Sequence, residues 1–516
     1  MSNLSRWIER HADFTPDKPA IRFEGREITY ADFDRLIKAH ARALKHRFGV
    51  GRGDRVACLA YNAPEQIALL FACARLGALF LPLNWRLAAP EHAYILGDAG
   101  ARVLIAEGAF QAHAESIHAS LPECELVAAD FVPPPGSDWH RLAEAVATAR
   151  GDDSNPHVDQ DCPLLLVYTS GTTGHPKGAV LTQAALQWNA LNSAHMHDLT
   201  SRDHVLTVLP LFHVGGLNIQ TTPALYAGAT VTLHRRFEAE ATARAIAEDR
   251  PSLVVLVPAT IQALIERPEW ADLDLSSLRC MTTGSSIVPP HLIAAVHARG
   301  LPVIQVYGAT ETCPIAIYQR PEDAMGSVGS TGRAALHCDI RVVDDEGNDV
   351  PDGTNGELLV RGANVMFEYW GNPKATCEAL RGGWYFTGDI GRRDEAGRFW
   401  IMERKKDVII SGGENIYPAE IEVLLATMPE VADAVVVGRS DGRWGEVPVA
   451  CVVLRQGHSL TAEALLARFE GRLARYKHPK DVAFFNALPR NAMGKVQRFR
   501  LRATLSEAET PAAAAS

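Results

Sequence analysis

The segment YTSGTTGHPKG, Tyr168 to Gly178, places three glycines, four hydroxyls and a lysine directly behind the apolar run LLLVY. Glycines let backbone N–H groups turn toward an anion. Thr169, Ser170, Thr172 and Thr173 add side-chain donors, and Lys177 adds a charge, so the loop reads as a phosphate cradle. It is not a Walker loop. That motif needs GxxxxGK[ST], whereas Lys177 follows Pro176 and precedes Gly178, so both the spacing and the metal-binding hydroxyl fail.

Other chemistry-bearing residues are scattered along the chain. Glu311 stands in YGATET after a predicted strand, where an α/β sheet presents ligands, and as a carboxylate it suits a hard cation. Asp389 in YFTGDI, Lys495 in LPRNAMGKVQR and the KKD cluster at 405–407 read, taken singly, as a hairpin turn residue and solvated charges. HMH at 195–197 has no partner ligands near it in sequence and reads as a polar helix face rather than a metal site. The nine cysteines form no CxxC pair, which predicts reduced, mostly buried thiols.

The elements that must position these residues fall into two grammars. Up to about residue 338, short apolar runs alternate with helical stretches: DRVACLA, RVLIAE, HVLTVLP, ATVTLH, SLVVLV and PVIQVYG are the runs. This predicts parallel sheets covered by helices, with the ligand site beyond the carboxyl ends of the strands. From Asp339 short strands and turn signals predict a small β-barrel-like unit, and after Arg404 a separate α+β domain follows. The fold class is therefore α/β: a large N-terminal domain of two helix-covered, mostly parallel sheets plus a small β-barrel, and a smaller, mobile C-terminal α+β domain. The boundaries fall at 1–405 (338–405 barrel-like), 406–502 and a tail, 503–516, expected to be disordered, whose end ETPAAAAS has nothing to bury. A net charge of -10 with interspersed signs gives no footprint for nucleic acid or an anionic membrane. No run reaches the ~18 apolar residues of a membrane span, and the start lacks a signal-peptide pattern, so a cytoplasmic protein is expected.

YTSGTTGHPKG, PLFHVGG, TTGSSIVPP, YGATET, YFTGDI, ERKKDVIISGGENIYPAEIE and LPRNAMGKVQR occur here in one order. Together they resemble the adenylate-forming superfamily of acyl-CoA synthetases, nonribosomal adenylation domains and firefly-type luciferases, over nearly the whole chain. The resemblance implies a two-step reaction: a carboxylate attacks the α-phosphate of Mg-ATP to give acyl-adenylate and pyrophosphate, then a thiol takes the acyl group. By the same resemblance Thr169, Ser170, Gly171, Thr172, Thr173, Gly174 and Lys177 hold the β- and γ-phosphates. Gly284, Ser285 and Ser286 line the adenine edge and acyl pocket, where the family is more often alanine-rich. Tyr307 stacks on adenine with Gly308 beside it, Thr310 touches the α-phosphate, and Glu311 is the magnesium ligand. Asp389 accepts the ribose hydroxyls, Arg404 supports the same region, and Lys495 bridges the attacking carboxylate and the α-phosphate. The small domain resembles a swivel about Lys406 that withdraws Lys495 so that Gly412 and Gly413 line a tunnel for pantetheine. RYKHPK, 475–480, resembles a basic stretch of that domain and is read here as surface.

The acid is bounded by what stands where relatives differ. His213 occupies the position at which amino-acid-activating relatives carry an aspartate, which argues against an amino acid, and at this place an imidazole can gate or orient without acting as a base. The further lysine of firefly-type chemistry has no counterpart in VIISGG. Only 21 residues follow Lys495, too few for a carrier module, so coenzyme A is the expected acceptor. Apolar and small specificity segments suit a medium-chain fatty or an aromatic or cyclic acid, and no arginine for a dicarboxylate can be placed. The cofactors implied are ATP, Mg2+ and coenzyme A, and the chain is expected as a monomer or homodimer. Two other readings stand beside this one: a ligase that stops at the adenylate or passes it to a carrier protein, and a non-catalytic nucleotide-binding relative.

Overall fold

In the computed structural model the described residues are 3–169, 176–285, 288–411, 414–441, 444–470, 472–490 and 496–508. They pack as two compact units. The first runs to Ser285 and includes Ala294–Ile340 and Val360–Phe386; the second holds Arg341–Leu359 and the chain from Thr387 onward, with a short piece ending at Ile293.

The first unit contains two large sheets. One has nine strands, and its central members, among them Cys280–Gly284 and Val303–Tyr307, pair in parallel. The other has eight strands, parallel through Arg55–Leu59, Leu79–Pro82 and Val103–Ala106. The strand–helix alternation of the sequence thus becomes helix-covered parallel sheets, as fully apolar strands such as VLIA, buried at every position, require. The helix Pro64–Leu76 is buried along nearly its whole length and stops at Gly77, whose φ of +72° is a left-handed conformation that glycine adopts without steric penalty.

HMH does not form a polar face. It ends the helix Gln183–His197, and His197 is fully buried, with Nδ1 against the Ser193 carbonyl at 2.9 Å and Nε2 against the Thr282 hydroxyl at 2.9 Å. The helix's own Ser193 carbonyl and Thr282 on the neighbouring strand satisfy the two ring nitrogens, so this histidine is a core residue, and burial lowers its pKa to about 4. Eight cysteines are buried and unpaired, while Cys377 is exposed.

In the second unit, strands within 341–359 and 387–404 belong to a five-stranded sheet, the half-barrel foreseen from the hairpin signals. A second five-stranded sheet is built on the long hairpin Val431–Asp441 with Gly445–Leu454. The helices Pro418–Ala426 and Arg498–Ala508 belong to this part.

Candidate active site

Strands Cys280–Gly284 and Val303–Tyr307 lie side by side in parallel, with Gly284 opposite Val306. Their carboxyl ends therefore deliver Ser285 and the Tyr307–Gly308 pair to the same edge of the sheet, where an α/β sheet places its ligand. Ser285 is exposed and has φ +71°, an uncommon left-handed backbone for a residue with a side chain. The glycines here have a backbone reason for being glycine. A Cβ on Gly284 would collide with the Val306 carbonyl, and one on Gly308 would be driven into the Pro314 carbonyl.

Beyond Gly308 the chain makes a single 3-10 turn, Thr310–Thr312. The Thr312 hydroxyl accepts the Ala309 N–H at 2.9 Å and donates to the Pro314 carbonyl at 2.9 Å, closing the turn on itself. Asn364 fastens the turn from outside, its amide donating to the carbonyls of Thr312 (2.7 Å) and Ile315 (2.8 Å). Thr310 and Glu311 are both buried. One carboxylate oxygen of Glu311 accepts the hydroxyl of Tyr369 at 2.6 Å.

The strands that flank the glycine-rich segment in sequence, Pro163–Thr169 and Lys177–Thr182, pair antiparallel, with Thr169 facing Lys177 across the ladder. Thr169 and Lys177 are thereby fixed to one sheet position. Lys177 lies over the ring of Tyr369, 5.3 Å from its centroid. Ser170, Gly171, Thr172, Thr173 and Gly174 of the loop lie outside the described residues, as do Ser286, Gly412, Gly413 and Lys495.

His213 caps a short helical turn: its Nδ1 accepts the Gly215 N–H at 2.9 Å. That bond leaves the ring proton on Nε2, and burial lowers the pKa to about 4, so the imidazole is a neutral donor at physiological pH. A Cβ on Gly215 would approach both the His213 ring and, at 3.7 Å, the Ser285 hydroxyl. A side chain at Gly215 would therefore press on the His213 ring and come into contact with Ser285.

In the second unit Asp389 and Arg404 are cross-strand partners, with Nε 3.3 Å from Oδ1. Lys406 sits in the short turn Lys405–Asp407 and is exposed. RYKHPK is surface in part: Tyr476 is exposed, whereas Lys477 pairs with Glu420. The site residues thus assemble as two sets, one per unit. Gly284, Ser285, Tyr307, Gly308, Thr310 and Glu311 share the sheet edge, with Lys177 tied in through Tyr369. Nothing in the stretch EYWGNP distinguishes Tyr369 from an ordinary core aromatic.

A parallel sheet with polar and glycine turns at its carboxyl edge, joined to a hydroxyl- and glycine-rich hairpin, defines a nucleotide-binding α/β enzyme. The chain matches the AMP-binding enzyme family over residues 8–370 and the AMP-binding enzyme C-terminal domain over 420–495, and it belongs to that family. It is 54% identical to an indoleacetate–CoA ligase of Aromatoleum aromaticum over 97% of both chains. It is 40% identical to a feruloyl-CoA synthase of an Amycolatopsis species, over 97% of this chain and 98% of the other. Among solved structures it resembles the O-succinylbenzoate coenzyme A synthetase of Bacillus subtilis in complex with ATP and magnesium ion, with TM-score 0.85, 32% identity, and coverage of 96% and 98%.

Proposed function

We propose that this chain is an AMP-forming carboxylic acid:CoA ligase acting on an aromatic acid. It activates the carboxylate as an acyl-adenylate with release of pyrophosphate and then transfers the acyl group to the thiol of coenzyme A. The observation that carries the acid class is the 54% identity, end to end, with an indoleacetate–CoA ligase. A neutral His213 beside Ser285 agrees with it, since neither offers a charge to an ammonium or a second carboxylate.

Each residue then has a task in this reading. Tyr307 stacks on the adenine, with Gly284, Ser285, Ser286 and Gly308 along its edge, and Asp389 with Arg404 holds the ribose. Thr169 to Gly174 and Lys177 hold the leaving polyphosphate, where donors aimed at developing charge are worth about 10²–10³ in rate each. Thr310 and Lys495 meet the α-phosphate, His213 orients the acid, and Gly412 and Gly413 admit the thiol arm. Lys406 is the hinge between 1–405 and 406–502.

Glu311 fits magnesium. It is an oxygen donor, and among the described residues no group of three histidine, cysteine or carboxylate side chains surrounds it, so the ion would draw its other ligands from phosphate and water, as is usual for magnesium. Bound there, magnesium would neutralise charge on the phosphates.

The test is pyrophosphate release with and without coenzyme A over indoleacetate, ferulate, a long-chain fatty acid and O-succinylbenzoate, with products read by mass spectrometry. Thioester from the aryl acids at a kcat/KM at least about tenfold above the fatty acid is expected, a margin of about 1.4 kcal/mol. Preference for the fatty acid overturns the acid class. Adenylate without thioester points to a carrier-protein acceptor, and no release points to a non-catalytic relative.

A further inference from the structure

Tyr369 joins the two halves of the proposed nucleotide site. It lies in the edge strand Glu368–Tyr369, which pairs antiparallel with the strand that begins at Lys177, Tyr369 opposite Ala179. That strand belongs to the eight-stranded sheet, while the Thr310–Thr312 turn hangs from the nine-stranded one. The phenol crosses between them: its hydroxyl donates to Glu311 Oε1 at 2.6 Å, and its ring carries the Lys177 ammonium 5.3 Å from the centroid. Tyr369 is itself held, its N–H donating to the Thr376 hydroxyl at 3.0 Å. The Met366 N–H fixes the Glu311 carbonyl at 2.7 Å, so backbone and side chain of the same glutamate are gripped by one short stretch, 366–369.

We infer that Tyr369 is a positioning residue for the metal-binding carboxylate. By occupying Oε1 it fixes the rotation of the Glu311 side chain and commits the second oxygen to the cation. With its ring it sets the distance between that carboxylate and the lysine at the stem of the phosphate loop. Partners that orient a ligand in this way are worth about 10–100-fold in metal affinity. The inference rests on Glu311 being the metal ligand.

The experiment is Mn2+ binding, followed by electron paramagnetic resonance on the full chain in the presence of a non-hydrolysable ATP analogue. Wild type is compared with Tyr369→Phe, Thr376→Ala and Glu311→Gln. Tyr369→Phe keeps the ring and the Lys177 contact and should weaken Mn2+ binding about tenfold or more, with the KM for the acid unchanged. Thr376→Ala leaves the aromatic ring in place and should move the same constant in the same direction, which keeps the test open if the Phe chain does not fold. Wild-type Mn2+ affinity in these variants, with Glu311→Gln impaired, overturns the role of Tyr369. Wild-type affinity in Glu311→Gln overturns the metal-ligand reading beneath it.

Discussion

Gly308 illustrates how a residue can be singled out for one reason and required for another. Its place in YGATET marks it as part of a nucleotide site, yet the structure gives it a steric duty: the turn folds back so tightly that the Pro314 carbonyl occupies the space a Cβ would need. Gly308→Ala should therefore open the turn that carries Thr310 and Glu311. The expected outcome is loss of adenylate formation together with a stability loss of about 2 kcal/mol or more, read from urea unfolding. Full activity in that variant would mean that the backbone relaxes elsewhere. At this scale the sequence offers Tyr307, Thr310 and Lys177 as candidates because they stand in short motifs where chemistry-bearing residue types are concentrated. It was silent on Tyr369, whose partner Glu311 is far away in the chain and is reached only through sheet pairing.

Among elements, the junction around Lys406 is bound by charges that sequence alone suggests are solvated. Arg498, at the start of its helix, sits 2.7 Å from Glu403 on the strand before the junction and 2.8 Å from Glu422 on the helix after it. Arg502 pairs with Asp407 at 2.9 Å. One guanidinium thus serves two carboxylates, and Glu422 also accepts the Val436 N–H at 2.8 Å. Burial pushes the Glu422 carboxyl up to about 7, against the opposing pull of Arg498. A carboxyl raised in the folded state contributes stability that is complete below its unfolded pKa, near 4.5, and is lost as pH rises through about 7. The thermal midpoint of Glu422→Gln should accordingly fall less than that of wild type between pH 5 and pH 8 in a buffer series; equal slopes would refute the assignment. ERKKD, EIE and QR read as surface charge because nothing in their spacing reveals that they converge.

At the scale of the whole molecule, the proposed division of labour about Lys406 can be tested. If Lys495 serves adenylation and Gly412 with Gly413 serves thiol entry, the steps should separate genetically. Lys495→Ala should abolish adenylate formation but still make thioester from supplied acyl-adenylate, and Gly413→Leu should do the reverse; equal loss of both steps in both variants excludes the swivel. The general layout was legible from alternation of strand and helix and from the change of grammar near residue 338. Sheet order was not, because neighbours are distant in sequence: Ile21, near the start, pairs with Val231. Local pattern sets which residues are extended, whereas packing over the whole chain decides who stands next to whom. The buried cysteines carry a last consequence. An acyl phosphate anhydride is an indiscriminate electrophile, and a nearby thiolate would capture it before any soluble acceptor arrives. Desolvation holds Cys280 and Cys338 protonated up to about 12, and Cys313, two positions from Glu311, higher still. Acylation of the chain's own thiols during turnover should accordingly be confined to the exposed Cys377, as peptide mass spectrometry would read.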